Sequence, residues 1–278
     1  MKIFKTKTEL SSYLSLNSKL SISFVPTMGA LHNGHLSLVQ EAKSNSDIVI
    51  CSIFVNPTQF NNKADFKNYP TTLDEDLYLL KMIKCDIVYV PDFEDLYTPN
   101  EYAKQYDFNG LDKILEGKFR KGHFNGVATI VEKFLEIIKP NRAFFGQKDL
   151  QQLIIIKYLV KKLNIPTQII SVPTVRENNG IAMSSRNVLL NKRDLNKAAI
   201  LHKSLLYCKE NARRKSIAEI KRYIISNFKK DSSLKLEYIE FVNASSLKSL
   251  DLIASNGENA VCIAAFVSGV RLIDNIIF

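Results

Sequence analysis

The chain has 278 residues, of which 46% are hydrophobic and 24% charged, and a formal net charge of +10. That length suits one large domain or two ordinary ones, and the composition excludes an intrinsically disordered protein. Its longest apolar runs, such as Ile48–Val55, are far too short to cross a bilayer. In chain order, Ile22–Val25 reads as a short strand that enters a turn, with a helix starting near Gly34–His35. Asp47–Val55 is a near-continuous apolar run, the pattern of a strand buried on both faces of a parallel sheet. Leu73–Lys84 predicts a helix and Asp86–Val90 a strand that Pro91 ends. Gly126–Ile138 is an amphipathic helix stopped by Pro140, Ala143–Phe145 a short strand, Asp149–Leu163 a helix and Gln168–Val172 a further strand. This alternation predicts right-handed βαβ units in an α/β fold, a doubly wound parallel sheet with ligands beyond the carboxyl ends of its strands.

After Val172 the texture changes. Helices over Lys192–Asn211 and Ser216–Lys229 precede strands at Leu236–Val242, Ala260–Ser268 and Arg271–Ile277, which predicts a smaller α+β domain. The boundary falls near Pro173–Thr174, giving domains of residues 1–174 and 175–278. The opening MKIFKTKTEL is basic but has no apolar core of a signal peptide, so a cytoplasmic location is expected. The four cysteines have no CxxC pair, and buried reduced thiols are expected rather than a disulfide or zinc site. Many cations of the last third, Lys192, Arg193, Lys197, Arg213, Arg214, Lys215, Lys221 and Arg222 among them, fall in helix-like stretches with apolar and acidic residues between them, as on a solvated helix face. They form no continuous arm for nucleic acid.

Four segments carry chemistry. In PTMGALHNGH (Pro26–His35) a strand ends, Gly29 permits a tight turn, and His32 and His35 arrive at one side of a helix N-terminus. Backbone amides and the helix dipole favour phosphate there, Gly34 admits a base or phosphate, and imidazoles can donate to phosphoryl oxygens as charge builds. No P-loop and no GxGxxG is present, and a metal reading of the two histidines lacks a nearby third ligand. Two chance loop histidines are the plainer alternative. In GQKDLQQ (Gly146–Gln152) Lys148 stands at a strand-to-helix corner, and Asp149 suits either function or a helix N-cap. In MSSRN (Met183–Asn187) two hydroxyls and a guanidinium suit a clamp on a triphosphate, or a polar turn capping the next helix. In FVNPTQF (Phe54–Phe60) Asn56 and Gln59 suit a small polar acid, or simply a strand-end turn.

These blocks, with RKGHFNGV and VPTVRE, occur in an order that resembles the pantothenate synthetase (pantoate–β-alanine ligase) family. HNGH resembles the HIGH motif of the wider nucleotidylyl-transferase superfamily, and MSSRN stands where its KMSKS loop would be. The resemblance implies a Rossmann-like fold and ATP-dependent joining of pantoate to β-alanine through a pantoyl adenylate, with release of pyrophosphate and AMP. It implies catalytic roles for His35, His32, Lys148 and Arg186, with Ser184 and Ser185 also gripping phosphate. The implied ATP pocket is Met28, Gly29, Ala30, Leu31, His32, Asn33, Gly34, His35, Gly146, Gln147, Lys148, Asp149, Val175, Met183, Ser184, Ser185 and Arg186. Gln59 would bind pantoate and β-alanine, and Gln152 pantoate. Arg120 and His123 match positions near the site. Magnesium is expected on the phosphates, with Asp76 the best-matched acidic residue and Glu75 its neighbour; an ordinary acidic first helical turn is the alternative. Gln147 departs from the family's usual Glu and removes a charge beside Lys148. The resemblance suggests a homodimer, a C-terminal domain that closes over the site, and neither membrane nor nucleic-acid partner. The competing functions are a nucleotidyltransferase that stops at an adenylylated product and, from another class, a nucleic-acid-binding protein.

Overall fold

Apolar runs too short for helices become the strands of a parallel sheet. In the computed structural model, which describes residues 1–253 and 258–278, the chain divides into two units. Unit 1 is Met1–Gly146 with Gln152–Pro173, and unit 2 is Gln147–Gln151 with Thr174–Phe278.

Unit 1 begins with β1 (Lys2–Phe4), α1 (Lys7–Leu16), β2 (Ile22–Thr27), α2 (Asn33–Lys43) and β3 (Ile48–Ile53). Then come α3 (Lys63–Lys67), α4 (Leu73–Met82), β4 (Ile87–Tyr89), α5 (Phe93–Leu96), α6 (Leu115–Phe119) and α7 (His123–Ile138). β5 (Arg142–Gly146), α8 (Leu150–Lys162) and β6 (Gln168–Val172) follow. The strands lie in the order β1-β4-β3-β2-β5-β6, all parallel. The order reverses between β2 and β5, and such a reversal opens a crevice at the carboxyl ends. β2 follows β3 over its whole length but pairs with β5 only at Ser23 and Phe24. Pro26, which has no N–H to donate, therefore sits where only one neighbouring strand remains.

All six residues of β3 are buried, as its unbroken apolar run requires. On one face Val25, Val49, Cys51, Val88 and Phe144 pack with Leu38, Val39 and Ala42 of α2 and Leu80 of α4. Phe24 and Tyr89 meet the Phe134 ring of α7 edge-on, at 5.4 and 5.9 Å. Burying each such side chain is worth about 1.5–3 kcal/mol, and this packing sets the strand ends on which the site is built.

Unit 2 contains α9 (Lys192–Ala198), α10 (Ile200–Asn211), α11 (Ile217–Phe228), β7 (Leu234–Asn243), β8 (Asn259–Val267) and β9 (Val270–Ile277). Its strands form an antiparallel sheet in the order β7-β8-β9. Leu201, Leu205, Ile220, Ile224 and Phe228 of the helices pack with Phe241, Val261, Ile263 and Leu272 of that sheet. The expected doubly wound parallel sheet and smaller α+β portion are both present. The helix expected over Lys192–Asn211 is two helices, separated at Ala199. No helix among the described residues is long and apolar enough to cross a membrane.

Candidate active site

β2 ends at Thr27 and the chain turns sharply into α2. Gly29 has φ +78°, and a Cβ there would come within 2.9 Å of Asp76 Oδ2. Ala30 follows in the left-handed region at φ +48°, which costs a residue with a Cβ about 1–2 kcal/mol. His32 is the N-cap of α2, one residue before the helix starts. Its Nδ1 accepts the Gly34 N–H at 3.1 Å, and His35 Nδ1 accepts the His32 N–H at 3.3 Å. The two histidines thus make the reciprocal cap more usually built from Ser or Thr and Glu. Their ring centroids are 4.1 Å apart. A ring nitrogen that accepts an N–H is unprotonated, so these bonds assign the proton of each neutral ring to Nε2. Nε2–H is then each ring's donor, at a helix end that already attracts anions.

The turn is held from outside its own segment. Asp76, in the first turn of α4, is 1% exposed. Its Oδ2 accepts the Ala30 N–H at 2.9 Å and its Oδ1 the Leu31 N–H at 2.7 Å, with the Thr72 hydroxyl donating to Oδ1 at 3.2 Å. Burial pushes the Asp76 carboxyl above its ordinary range, against the pull of these donors.

The FVNPTQF segment forms a second turn in the same unit. Asn56, 1% exposed, accepts from the Thr58 N–H and the Tyr97 hydroxyl. Its amide donates to Gln59 Oε1 and to the Gly126 carbonyl, each at 3.1 Å. Asn56 is thereby the strand-end turn residue, while Gln59 turns its own amide toward Met28 Sδ at 2.9 Å. His123 Nδ1 lies 2.8 Å from the Gln59 carbonyl; a carbonyl can only accept, so this nitrogen carries the proton. A Cβ on Gly126 would stand 2.3 Å from the Thr58 carbonyl oxygen, so α7 packs this closely only through a glycine. Arg120 Nη1 lies 3.9 Å from Glu116 Oε2, and Gln152 is half-buried on α8.

Gly146 ends β5 in unit 1, and unit 2 holds Gln147–Asp149, Val175 and Met183–Arg186. Gln147–Asp149 form a single 3-10 turn in which Lys148 Nζ lies 3.7 Å from Asp149 Oδ2. Met183 N–H donates to the Val175 carbonyl at 3.0 Å, and Arg176 bridges to Ala182, so a small hairpin joins Val175 to the MSSRN segment. Arg176 anchors that hairpin through two bonds to the buried Asp274, at 2.6 and 3.0 Å. Ser184 caps the 3-10 helix Ser185–Leu189 by accepting the Arg186 N–H, so the capping alternative for one hydroxyl is realised. Sequence reasoning missed Arg176, Asp274 and Asn275, although Arg176 lies inside the VPTVRE block.

Asp76, the acidic residue matched to magnesium, does not fit a hydrated ion. Both Asp76 oxygens face backbone amides, and its near-complete burial leaves no face for a hydrated ion that keeps several waters. Among the described residues no group of three or more His, Cys, Asp or Glu could hold a metal.

A doubly wound parallel sheet with paired histidines capping α2, the helix between its neighbouring strands β2 and β3, defines an α/β class that binds ligands beyond the carboxyl ends of its strands. The chain belongs to the pantoate–β-alanine ligase family, whose model matches residues 2–277. Membership makes it an acid–amino-acid ligase. It is 43% identical over 279 residues to the pantothenate synthetase of Flavobacterium psychrophilum, covering 99% of each chain. It is 44% identical over 281 residues to that of Fervidobacterium nodosum, covering 100% of this chain and 99% of the relative. The crystal structure of pantothenate synthetase from Thermus thermophilus superposes with a TM-score of 0.92 at 36% identity, covering 99% of both chains. The pantoate–β-alanine ligase from Francisella tularensis, complexed with beta-gamma ATP and beta-alanine, superposes with a TM-score of 0.82 at 39% identity. That match covers 100% of this chain and 97% of the other.

Proposed function

We propose that this protein condenses (R)-pantoate with β-alanine to give pantothenate, using ATP and passing through pantoyl adenylate. A carboxylate oxygen of pantoate attacks the α-phosphorus, the α–β phosphoanhydride bond breaks, and pyrophosphate leaves. The β-alanine amine then attacks the acyl carbonyl, the bond to the phosphate oxygen breaks, AMP leaves, and the amine loses a proton. Both reactants of the first step are anions, so donors and cations must offset their repulsion.

His32, His35, Lys148, Ser184, Ser185 and Arg186 fill that role, with Met28–His35, Gly146–Asp149, Val175 and Met183–Arg186 surrounding ATP. Gln59 binds pantoate and faces β-alanine, and Gln152 binds pantoate. The observation that supports this most is the bond from Gln59 Nε2 to Met28 Sδ, which sets the proposed acid-binding side chain against the proposed nucleotide-binding turn. Magnesium enters only as the counter-ion that ATP brings, and no step is assigned to it. A homodimer and a cytoplasmic location complete the proposal; light scattering on the purified protein tests the first.

The decisive experiment measures pantoate-dependent exchange of labelled pyrophosphate into ATP, and β-alanine-dependent AMP release. Both are expected. Folded protein that performs neither would overturn the reading, and a stable adenylylated product that no amine discharges would favour a nucleotidyltransferase.

A further inference from the structure

The buried carboxylate of Asp76 has no role in the reaction steps above, yet it is bonded to the turn from which both histidines extend. Its neighbours Asp74 and Glu75 are exposed, as acids in a first helical turn ordinarily are. Asp76 instead points inward and takes two consecutive amides from residues 46 and 45 positions away, one on each oxygen. Charge-assisted bonds of this kind are about twice as strong as neutral ones. They fall where the backbone needs them, since Gly29 and Ala30 both have positive φ and Ala30 carries a Cβ. The next residue after Leu31 is the N-cap His32, whose carbonyl accepts the His35 and Leu36 N–H groups that start α2.

We propose that Asp76 is a positioning residue: by clamping the Ala30 and Leu31 amides it fixes where His32 and His35 stand. This rests on the reading that the histidines serve adenylyl transfer. The clamp runs through backbone, so shifting it moves both rings together. It also argues against a direct magnesium role for Asp76, whose oxygens already accept three donors on a side chain only 1% exposed.

The test replaces Asp76 with Asn, which keeps the shape but sets an NH2 group against a backbone N–H. Thr72→Val, which removes only the hydroxyl donor to Oδ1, is a milder second variant that keeps the test open should Asp76→Asn not fold. The first readout is the NMR signals of the four histidine rings, His32, His35, His123 and His202, assigned by single substitution. The His32 and His35 signals are expected to move in both variants, while those of His123 and His202 stay. The second readout is pyrophosphate exchange. Asp76→Asn is expected to lower kcat by up to about 100-fold, as small displacements at a reacting centre do, with half-saturating magnesium unchanged.

Unmoved His32 and His35 signals or a raised magnesium requirement would each overturn the proposal. If His35→Ala retained full exchange activity, the histidine chemistry would fail instead, and the ring signals would still report the clamp.

Discussion

Asn275, near the end of β9, holds the main chain at Lys148: its side-chain amide donates to the Lys148 carbonyl at 2.8 Å and to the Gln147 carbonyl at the same distance. Asn275 is 2% exposed, so its amide makes both bonds from a buried position. Asn275→Ala should cost about 1–3 kcal/mol in urea unfolding, since it removes two hydrogen bonds of about 0.5–1.5 kcal/mol each. It should also slow pyrophosphate exchange by loosening the Lys148 turn. Asn275→Asp, which sets an acceptor against two acceptors, should be worse on both counts; a variant as stable as the parent would refute the assignment.

His35→Ala and Lys148→Ala should each lower the adenylation rate by about 2.7–4 kcal/mol, the usual cost of losing a transition-state donor. The reciprocal cap permits a finer separation. Gln is a regular partner at this capping position, so His35→Gln should keep an acceptor for the His32 N–H. The stability lost in His35→Ala, about 1 kcal/mol for a cap, should return in His35→Gln while the rate does not. Recovery of the rate as well would mean that His35 serves only the helix.

Gln59→Ala should raise the KM for pantoate roughly tenfold, about 1.4 kcal/mol, and leave that for ATP unchanged. Gly126→Ala should produce the same selective effect without touching Gln59 directly. Its added Cβ meets backbone at Thr58 and must push the Gln59 turn aside. Equal effects on both substrates would argue against a pantoate-specific turn.

Glu101 ties the loop after α5 to α7. Its bond to Lys133, aided by the Thr98 N–H, lowers its pKa from 4.5 to about 2. The folded value lies below the unfolded one, so the stabilisation is present above pH 4.5 and is lost as the pH falls toward 2. Glu101→Gln should therefore unfold at a lower temperature than the parent at pH 7, with the difference closing between those limits. A gap independent of pH would mean that charge is not what Glu101 contributes.

Much of the sheet was legible because its strands are buried on both faces. β6 spans the expected Gln168–Val172, and the β3 run marks itself by apolar residues alone. The edge strand β1 has no such run, and α1 buries only Leu10 and Leu14, too few for a visible stripe. Helix α7 starts three residues before the expected Gly126, because that glycine is a close-packing residue inside the helix rather than its beginning. The break at Ala199 has no glycine or proline to announce it. In the site, the HNGH turn was visible because its chemistry is local in sequence. Its mutual capping was not, since histidine is an uncommon cap. Asp76, Arg176 and Asn275 act across long sequence separations, on backbone or on a partner that no short pattern contains.

All four cysteines are buried and reduced. Burial raises the Cys85 thiol to about 11 and the Cys208 thiol to about 12, and Cys51 lies well above its ordinary value. Thiolate is the species that alkylating reagents attack, and here it is both scarce and shielded. The native protein should thus accept a fluorophore or spin label at one introduced surface cysteine, for example at the exposed Val188 beside the MSSRN segment, without first removing its own thiols.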